Sequence, residues 1–543
     1  MAYNLVKKLE KITKQEFKHV HFDNMFEAVR HLQDVEVQLE FVDYIKSKSI
    51  QGVRDKTIDR EERDNFYKLY TRCLLFEAPH IFESYIIYME INRPYEKKFY
   101  MPRAKVLRTL VWHYQDVADG VIDFLGISMP PRTGKSTLGI FYMTWQMGRF
   151  PDRPSIMSGH SSPLTQGFFD EATSLITGHE YTWGEIFPNH EFNSSSKYTT
   201  IDIGPKRRFS TLTCRAIEAT LTGATEADNC LYTDDLVRDL EEAINPERME
   251  AKYDAYVNQL KDRMTDQAHQ VMVGTRWGID DPLGKLAEEY GDDPRYRFVV
   301  MPALNEQGES NFDYDVKGFS TEYYLDMKRS VDAATFMAKY MGRPYSRMNR
   351  LFYENELDFY DGSGEGMSFD DINEIYAVND VAWGGGDYYV MVIGYRKDDI
   401  MYIQDVYISK DHKDITRPHV VAKIKEHRPM MTRFEANNGG HEYADRVKDE
   451  LSGIGVRALI ESKDTKSNSS KLSRIIRNSP EIKEFKFRND EERGVMYDLF
   501  MDQLYSFTTD GKSKNDDVPD ALAMLVEMIV SGLKKPEVFR NRF

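Results

Sequence analysis

The chain has 543 residues, which at the usual domain size points to three or four domains, or two large ones with an appendage. Its composition, 41% hydrophobic and 30% charged, describes a folded chain rather than a disordered one. Asp plus Glu number 89 against 72 Lys plus Arg, a net charge of −17, which excludes a surface that is basic throughout while leaving room for local basic tracks. The three cysteines, Cys73, Cys214 and Cys230, form no CxxC, so neither a disulfide framework nor a thiolate zinc site is expected, and a reducing compartment is the natural home. No run approaches the ~20 apolar residues of a membrane span. The N-terminus has lysines with no apolar core behind them, so no signal peptide is expected, and no HExxH is present. A soluble intracellular protein with no membrane partner is expected.

Residues 1–95 read as a helical N-terminal appendage. In LEKITKQEFKHV and NMFEAVRHLQDVEVQLEFVDYI the apolar residues recur three and four apart, and Gly is nearly absent. No chemical motif lies there. Over 96–345 short apolar runs alternate with helical ones: VIDFLGISM (121–129), PSIMSGH (154–160), NCLYTD (229–234) and HQVMVGTRW (269–277). Strand alternating with helix predicts a parallel sheet covered on both faces. A stretch rich in turn-formers predicts a linker over 346–370. A second α/β unit is expected over 371–533, with strands at 374–382, 388–396, 401–409, 430–436 and 456–462, a helix at 417–427, another after His441, and a last one from about 516 to 531. Residues 534–543 form a short basic tail.

The loop MPPRTGKST (129–137) follows an apolar strand and opens a helix. The phosphate-loop pattern G-x-x-x-x-G-K-[ST] needs Gly at 129, where Met stands, but Gly134, Lys135 and Ser136 keep its working half. Gly134 lets the backbone approach a phosphate, and the helix N-terminus offers it free N–H groups. Lys135 can reach the outer phosphates and the Ser136 hydroxyl can ligate Mg²⁺. Pro130 and Pro131 stiffen the loop, and with Arg132, Thr133 and Thr137 complete the nucleotide-binding set. CLYTDDL (230–236) supplies an acidic pair at a strand end: Asp234 to hold Mg²⁺ and Asp235 to polarise the attacking water. In VGTRWGIDDPLG (273–284), Thr275 or Arg276 is placed to sense the outer phosphate, and Arg132 to neutralise transition-state charge; a structural salt bridge is the lesser alternative for each arginine.

The second unit carries acids at strand and helix ends. Asp380 precedes Trp383-Gly384-Gly385-Gly386, Glu435 lies near the end of MMTRFEA, and Asp517 and Asp520 open the last helix three residues apart. A ribonuclease-H-like fold brings these four together, and such a cluster makes sense only around cations. Two Mg²⁺ or Mn²⁺ ions ~4 Å apart can activate water and stabilise the leaving oxygen of a phosphodiester. Asp387 and Asp516 are weaker candidates, and Asp405, mid-strand, is expected to matter much less. Two basic stretches, PKRRFSTLTCR (205–215) and SKDTKSNSSKLSRIIR (462–477), are candidates for DNA-backbone contact or equally for solvated faces.

A phosphate-loop ATPase followed by a ribonuclease-H-like nuclease resembles the large terminase subunit of tailed bacteriophages. The residues that carry the resemblance are Pro-Pro-Arg-x-Gly-Lys-Ser at 130–136, Thr222-Gly223, Asp234-Asp235, Gly-Thr-Arg-Trp at 274–277, Tyr-x-Gly-x-Pro at 340–344, Asp380, Glu435 and Asp-Asp-x-x-Asp-Ala-Leu at 516–522. It spans about 96–531. The missing first Gly of the loop and Asp235, where many relatives have Glu, are departures. The resemblance implies a motor that uses ATP and Mg²⁺ to drive double-stranded DNA into a procapsid, with Mn²⁺ an option at the nuclease site, and that cuts concatemeric DNA. It implies as partners a portal protein, a small terminase subunit and further copies in a ring. The place of work would be the infected bacterial cytoplasm, not the mature virion. The rivals are a cellular helicase–nuclease of recombination or repair, which should show further helicase motifs after GTRW, and a non-enzymatic clamp with a dead nucleotide site.

Overall fold

The computed structural model describes residues 2–219, 225–243, 245–331, 333–344, 350–361, 372, 374–381, 387–436, 439–463, 471–489, 493–509, 513 and 515–533. The chain divides into two compact units, Met1–Asn305 with Glu309–Pro344, and Tyr345–Phe543 with Glu306–Gly308. The architecture is α/β: each unit is built on its own mixed sheet, and helices form the N-terminal segment. Among the described residues no helix is long and apolar enough to cross a membrane.

The N-terminal segment folds as helices Ala2–Gln15, His19–Val29, Val35–Arg54 and Arg60–Glu77. Asp34 and Asp59 cap the last two by accepting backbone N–H groups of the first turn. These helices enclose their own core, which includes Phe22, Met25, Phe41, Ile45, Phe66 and Cys73. The next residue, Leu74, belongs to a different core, shared with Phe82, Tyr85 and Trp145 of the first sheet's covering layer. Helix Phe82–Met89, inside the expected appendage, therefore packs with the sheet. Helical periodicity is the same whichever core a helix faces, so the sequence pattern does not show this change. Buried Glu77 ties the two layers, accepting from Lys46 (2.6 Å) on one side and the Ser84 hydroxyl (2.5 Å) on the other.

The first unit's sheet contains β1 (Phe124–Ser128), β2 (Ser155–Gly159), β3 (Phe192–Ser195), β4 (Thr200–Ile203), β5 (Leu212–Ala216), β6 (Cys230–Asp234), β7 (His269–Gly274) and β8 (Tyr296–Val300). Their order is β3-β4-β5-β2-β6-β7-β1-β8. The six from β5 to β8 pair in parallel, and β3 and β4 add antiparallel at one edge. Every residue of β1, β2 and β6 is buried, as a sheet covered on both faces requires. Four strands have no counterpart in the expectation: β3 is polar, β4 is four residues long with only Ile201 and Ile203 buried, β5 overlaps the basic stretch 205–215, and β8 is only half-buried.

The second sheet contains β9 (Asp358–Tyr360), β10 (Ile375–Asp380), β11 (Tyr389–Lys397), β12 (Ile400–Ser409), β13 (Met431–Glu435), β14 (Ile460–Lys463) and β15 (Lys486–Arg488), in the order β14-β13-β10-β11-β12-β15-β9. β10, β11 and β12 form an antiparallel meander, while β13 and β14 join β10 in parallel on its other side. Helix Asp517–Leu533 packs across β10 and β11. This is the ribonuclease-H-like arrangement, extended by two short strands. One of these corrects the linker expected over 346–370. Within it, Asp358–Tyr360 pairs in parallel with Lys486–Arg488, so this part is an edge strand of the second sheet. Phe352, Leu357 and Tyr360 are buried there, and turn-forming composition nearby does not reveal them. Residues 346–349 and 362–370, like the tail 534–543, lie outside the described residues.

One close approach packs a helix onto the first sheet. Helix Lys135–Arg149 crosses β6 at Gly139, where any Cβ would collide with the ring of fully buried Tyr232. We expect Gly139→Leu to destabilise the protein by about 1–3 kcal/mol through overpacking, read as a lowered midpoint in thermal unfolding. A wild-type midpoint would mean that this contact is loose.

Candidate functional site

At the end of β1 the chain turns into helix Lys135–Arg149. Arg132 (φ 65°) and Gly134 (φ 104°) both take left-handed conformations, without strain for Gly and at a cost for Arg. The loop is braced from within and without. Buried Thr133 donates its hydroxyl to the Pro130 carbonyl (2.7 Å), and Tyr314 donates its phenol to the Thr133 carbonyl (2.9 Å). The first backbone N–H groups of the helix, at Lys135, Ser136 and Thr137, have no intrahelical acceptors, which suits an anion. Pro131, Ser136 and Thr137 are half-buried and Arg132 is exposed.

Lys135 donates to Asp235 Oδ1 (2.6 Å) and to Thr275 Oγ1 (2.7 Å), and the Thr275 backbone N–H donates to the same Asp235 oxygen (2.7 Å). The strand order explains this meeting: β7 lies between β6 and β1, so the residue just beyond β7 reaches both neighbours. Of the two sensor candidates only Thr275 joins the constellation. Arg276 is engaged in its own turn, donating to Asp281 (2.8 Å) and to the Gly278 and Ile279 carbonyls. Asp281 in turn caps the following helix.

Asp234 is fully buried, and no donor meets hydrogen-bond geometry at either carboxylate oxygen. Burial, joined by the charge of Asp235, pushes its pKa up to about 7; the Lys135 ammonium and the nearby Ser136 hydroxyl act against this. A buried carboxylate with two unpartnered oxygens beside a serine hydroxyl fits a hard cation such as Mg²⁺.

A cavity of about 530 Å³ opens beside this loop, an element with no sequence-level expectation. Phe99, Arg103, Thr137, Phe141, Tyr181 and Lys317 are among its lining residues. Phe99 stacks on Phe141 (centroids 5.6 Å apart) and Arg103 lies over both Phe99 and Tyr314. The aromatic and basic run RPYEKKFYMPR (93–103) was its available signal.

In the second unit, Asp380 ends β10 and Glu435 ends β13, side by side on parallel strands. Asp517 and Asp520 lie in the first turn of helix Asp517–Leu533. Carboxylate oxygens of Asp380, Glu435 and Asp520 come within 4.8 Å of one another. Asp380 Oδ2 is buried with no hydrogen-bond partner, and Asp517 Oδ2 accepts from the Tyr388 N–H (3.1 Å). Burial first, then the charges of Asp520 and Glu435, hold the Asp380 carboxyl well above the usual range, against the pull of Lys471. Burial pushes Asp520 up to about 6 despite Arg474. Like charges gathered at this distance raise one another, and a cation among them would relieve the repulsion. Asp516 is partly exposed and Asp387 is exposed.

Two residues expected in a DNA-contacting stretch instead turn inward. Helix Lys471–Lys483 presents Lys471 to Asp516 (2.7 Å), Asp517 (3.3 Å), Asp380 (3.6 Å) and Asp520 (3.6 Å), and Arg474 grips both oxygens of Asp520 and approaches Glu435 (3.7 Å). Burial works against the Lys471 ammonium, but Asp380, Asp520 and Asp516 outweigh it and keep it protonated. In the other basic stretch, Arg207 is tied to the Pro151 and Ile203 carbonyls, while Lys206 and Arg208 remain exposed. Asp405 is bound by Lys423 and by His427 (2.9 Å). Thr222-Gly223, Trp383 to Gly386, and 464–470 of the second basic stretch lie outside the described residues.

No protein-family model matches this sequence, and neither does any curated protein. Its structural neighbours among solved structures include large terminases, their nuclease domains and a RuvC bound to a Holliday junction substrate. The large terminase of a thermophilic bacteriophage, in complex with ADP, is similar over 80% of this chain and 100% of its own, at 12% identity and a TM-score of 0.31. The HK97 bacteriophage large terminase is similar over 76% and 94%, at 11% identity and a TM-score of 0.30. The nuclease domain of the P22 large terminase is similar over 34% and 97%, at 14% identity and a TM-score of 0.24.

The charges in these sites lead to two expectations. Because the Asp234 carboxyl is raised in the folded protein, its ionisation destabilises the fold, and stability is lost as pH rises from about 4 to about 7. Asp234→Asn is therefore expected to raise the unfolding midpoint of metal-free protein at pH 8, with a gain that shrinks towards pH 4; a gain equal at both pH values would contradict the assignment. Lys471→Met removes a cation from the acid cluster, and should tighten Mn²⁺ binding at least about tenfold in a paramagnetic-resonance titration. Unchanged affinity would show that Lys471 does not compete with the metal.

Proposed function

We propose that this chain is an ATP-driven DNA-packaging enzyme of a tailed bacteriophage, the large subunit of a terminase, which moves double-stranded DNA into a procapsid and cuts it. The observation that carries the reading is one chain holding two cation-seeking centres of different design. One is a phosphate loop whose lysine meets an acidic strand end, beside unpartnered Asp234. The other is a cluster of Asp380, Glu435 and Asp520 with an unpartnered oxygen of its own. The sequence motifs that resemble large terminases support the same reading.

In the first unit the backbone N–H groups of Lys135 to Thr137 would hold the outer phosphates, with Pro131 to Gly134 shaping the loop and Lys135 turning from Asp235 to the nucleotide. Ser136 and Asp234 would hold Mg²⁺. Asp235 would orient the attacking water, Thr275 would register loss of the outer phosphate, and Arg132 would offset transition-state charge. The aromatic walls at Phe99 and Phe141 suit the nucleoside end of ATP. In the second unit Asp380, Glu435, Asp517 and Asp520 would hold two divalent ions, Mg²⁺ or Mn²⁺. Such ions supply water activation and stabilisation of the leaving oxygen in phosphodiester hydrolysis. The partners proposed are double-stranded DNA, a portal and procapsid, a small terminase subunit and further copies in a ring, in the cytoplasm of an infected bacterium.

Plasmid nicking and ATP hydrolysis measured side by side test the reading. Lys135→Ala should lower ATP hydrolysis at least ~100-fold and leave Mg²⁺-dependent cleavage intact, whereas Asp380→Ala should do the reverse. Asp405→Ala should cut at close to the wild-type rate. Cleavage that persists in EDTA, or an active Asp380→Ala, would overturn the nuclease assignment. Unwinding of duplex DNA without procapsid-dependent uptake would favour a helicase–nuclease of repair.

A further inference from the structure

Asp235, the proposed water-orienting acid, sits in the left-handed region at φ 41°, a conformation that a non-glycine residue keeps only when its surroundings hold it. Its side chain is accounted for by Lys135 and Thr275. Its backbone is held separately, from both strands that flank β6. On one side the Asp235 N–H donates to the Val273 carbonyl of β7 (2.9 Å). On the other, the Asp235 carbonyl lies 2.7 Å from Nδ1 of His160, the residue that follows β2. A carbonyl only accepts, so Nδ1 carries the proton and His160 donates. The approach is close on this side, since β2 pairs with β6 through Gly159 opposite Asp234, and a Cβ at Gly159 would sit 2.9 Å from the Asp234 carbonyl.

From this geometry we infer that His160 is a positioning residue for nucleotide hydrolysis, which fixes the Asp235 peptide so that its carboxylate stays aimed at the phosphate-loop lysine. The inference rests on the reading of the first unit as an ATPase. His160 makes this contact through the backbone of Asp235, so it acts through the acid rather than on the nucleotide. With the donor removed, the peptide can relax out of the left-handed region, and the carboxylate turns with it. The phosphate loop itself is untouched, so nucleotide binding should survive while turnover falls. The side chain required is one that places an N–H donor where Nδ1 stands, a geometry that Asn reproduces through its amide nitrogen and that Ala and Phe do not.

The experiment uses the full-length chain and three variants, His160→Ala, His160→Phe and His160→Asn. His160→Ala and His160→Phe are expected to lower kcat for ATP hydrolysis ~10- to 100-fold with KM for ATP changed less than about threefold, and His160→Asn to recover most of the loss. Deuterium uptake of the peptide spanning residues 230–237 should quicken in the Ala and Phe variants and return to normal with Asn. Wild-type kcat in His160→Ala, or a failure of Asn to restore either turnover or protection in a protein that melts at the wild-type temperature, would overturn the role. The exchange measurement separates this from the underlying reading. If wild-type protein hydrolyses no ATP, the ATPase assignment fails, while normal uptake in His160→Ala shows independently that the histidine does not hold the Asp235 peptide.

Discussion

Two carboxylates, Asp234 and Asp380, are buried at the ends of β6 and β10 and hold oxygens without a well-formed hydrogen bond. An ionised carboxylate out of water is costly unless positive charge is brought to it, and much of each unit is arranged to do that. In the first unit the ammonium comes from Lys135, which is itself buried and shared with Asp235 and Thr275. In the second it comes from Lys471, on a helix whose Arg474 holds the neighbouring Asp520.

The two solutions differ in a way that bears on function. Lys135 reaches Asp235 along a flexible stem and meets a single carboxylate oxygen, a contact that a rotation of the side chain releases. Arg474 holds Asp520 through both carboxylate oxygens, a planar two-point grip that is harder to release. Lys471 is intermediate, divided among four carboxylates and partly open to solvent. In both units the site stands beyond the carboxyl ends of parallel strands, where the chain leaves the sheet and side chains of neighbouring strands converge.

The positions of many strands were legible because buried parallel strands are short apolar runs set between helices. The runs at 121–129, 154–160, 229–234 and 269–277 became β1, β2, β6 and β7. Among those that escaped were short strands: β3 and β4 at an edge, β9 inside an expected linker, and β15 with three residues. Such strands are held by pairing to neighbours distant in sequence, and no local pattern announces them. The arginine and lysine of helix Lys471–Lys483 were legible as charge but not as direction, because a basic residue in a polar stretch reads alike whether it faces water or a buried acid.

The sequence alone determined the chemistry available: a glycine, a lysine and a serine at a helix start, acidic pairs at strand ends, and apolar runs long enough to bury them. These are local properties, set by residue type and spacing. Only the tertiary structure decided which groups meet. Sheet order placed Thr275 rather than Arg276 beside Lys135, turned His160 onto the backbone of Asp235, and set Lys471 and Arg474 among the acids. Those choices depend on strands and helices brought together across as many as 140 residues of chain, and over such separations a linear pattern carries no distance.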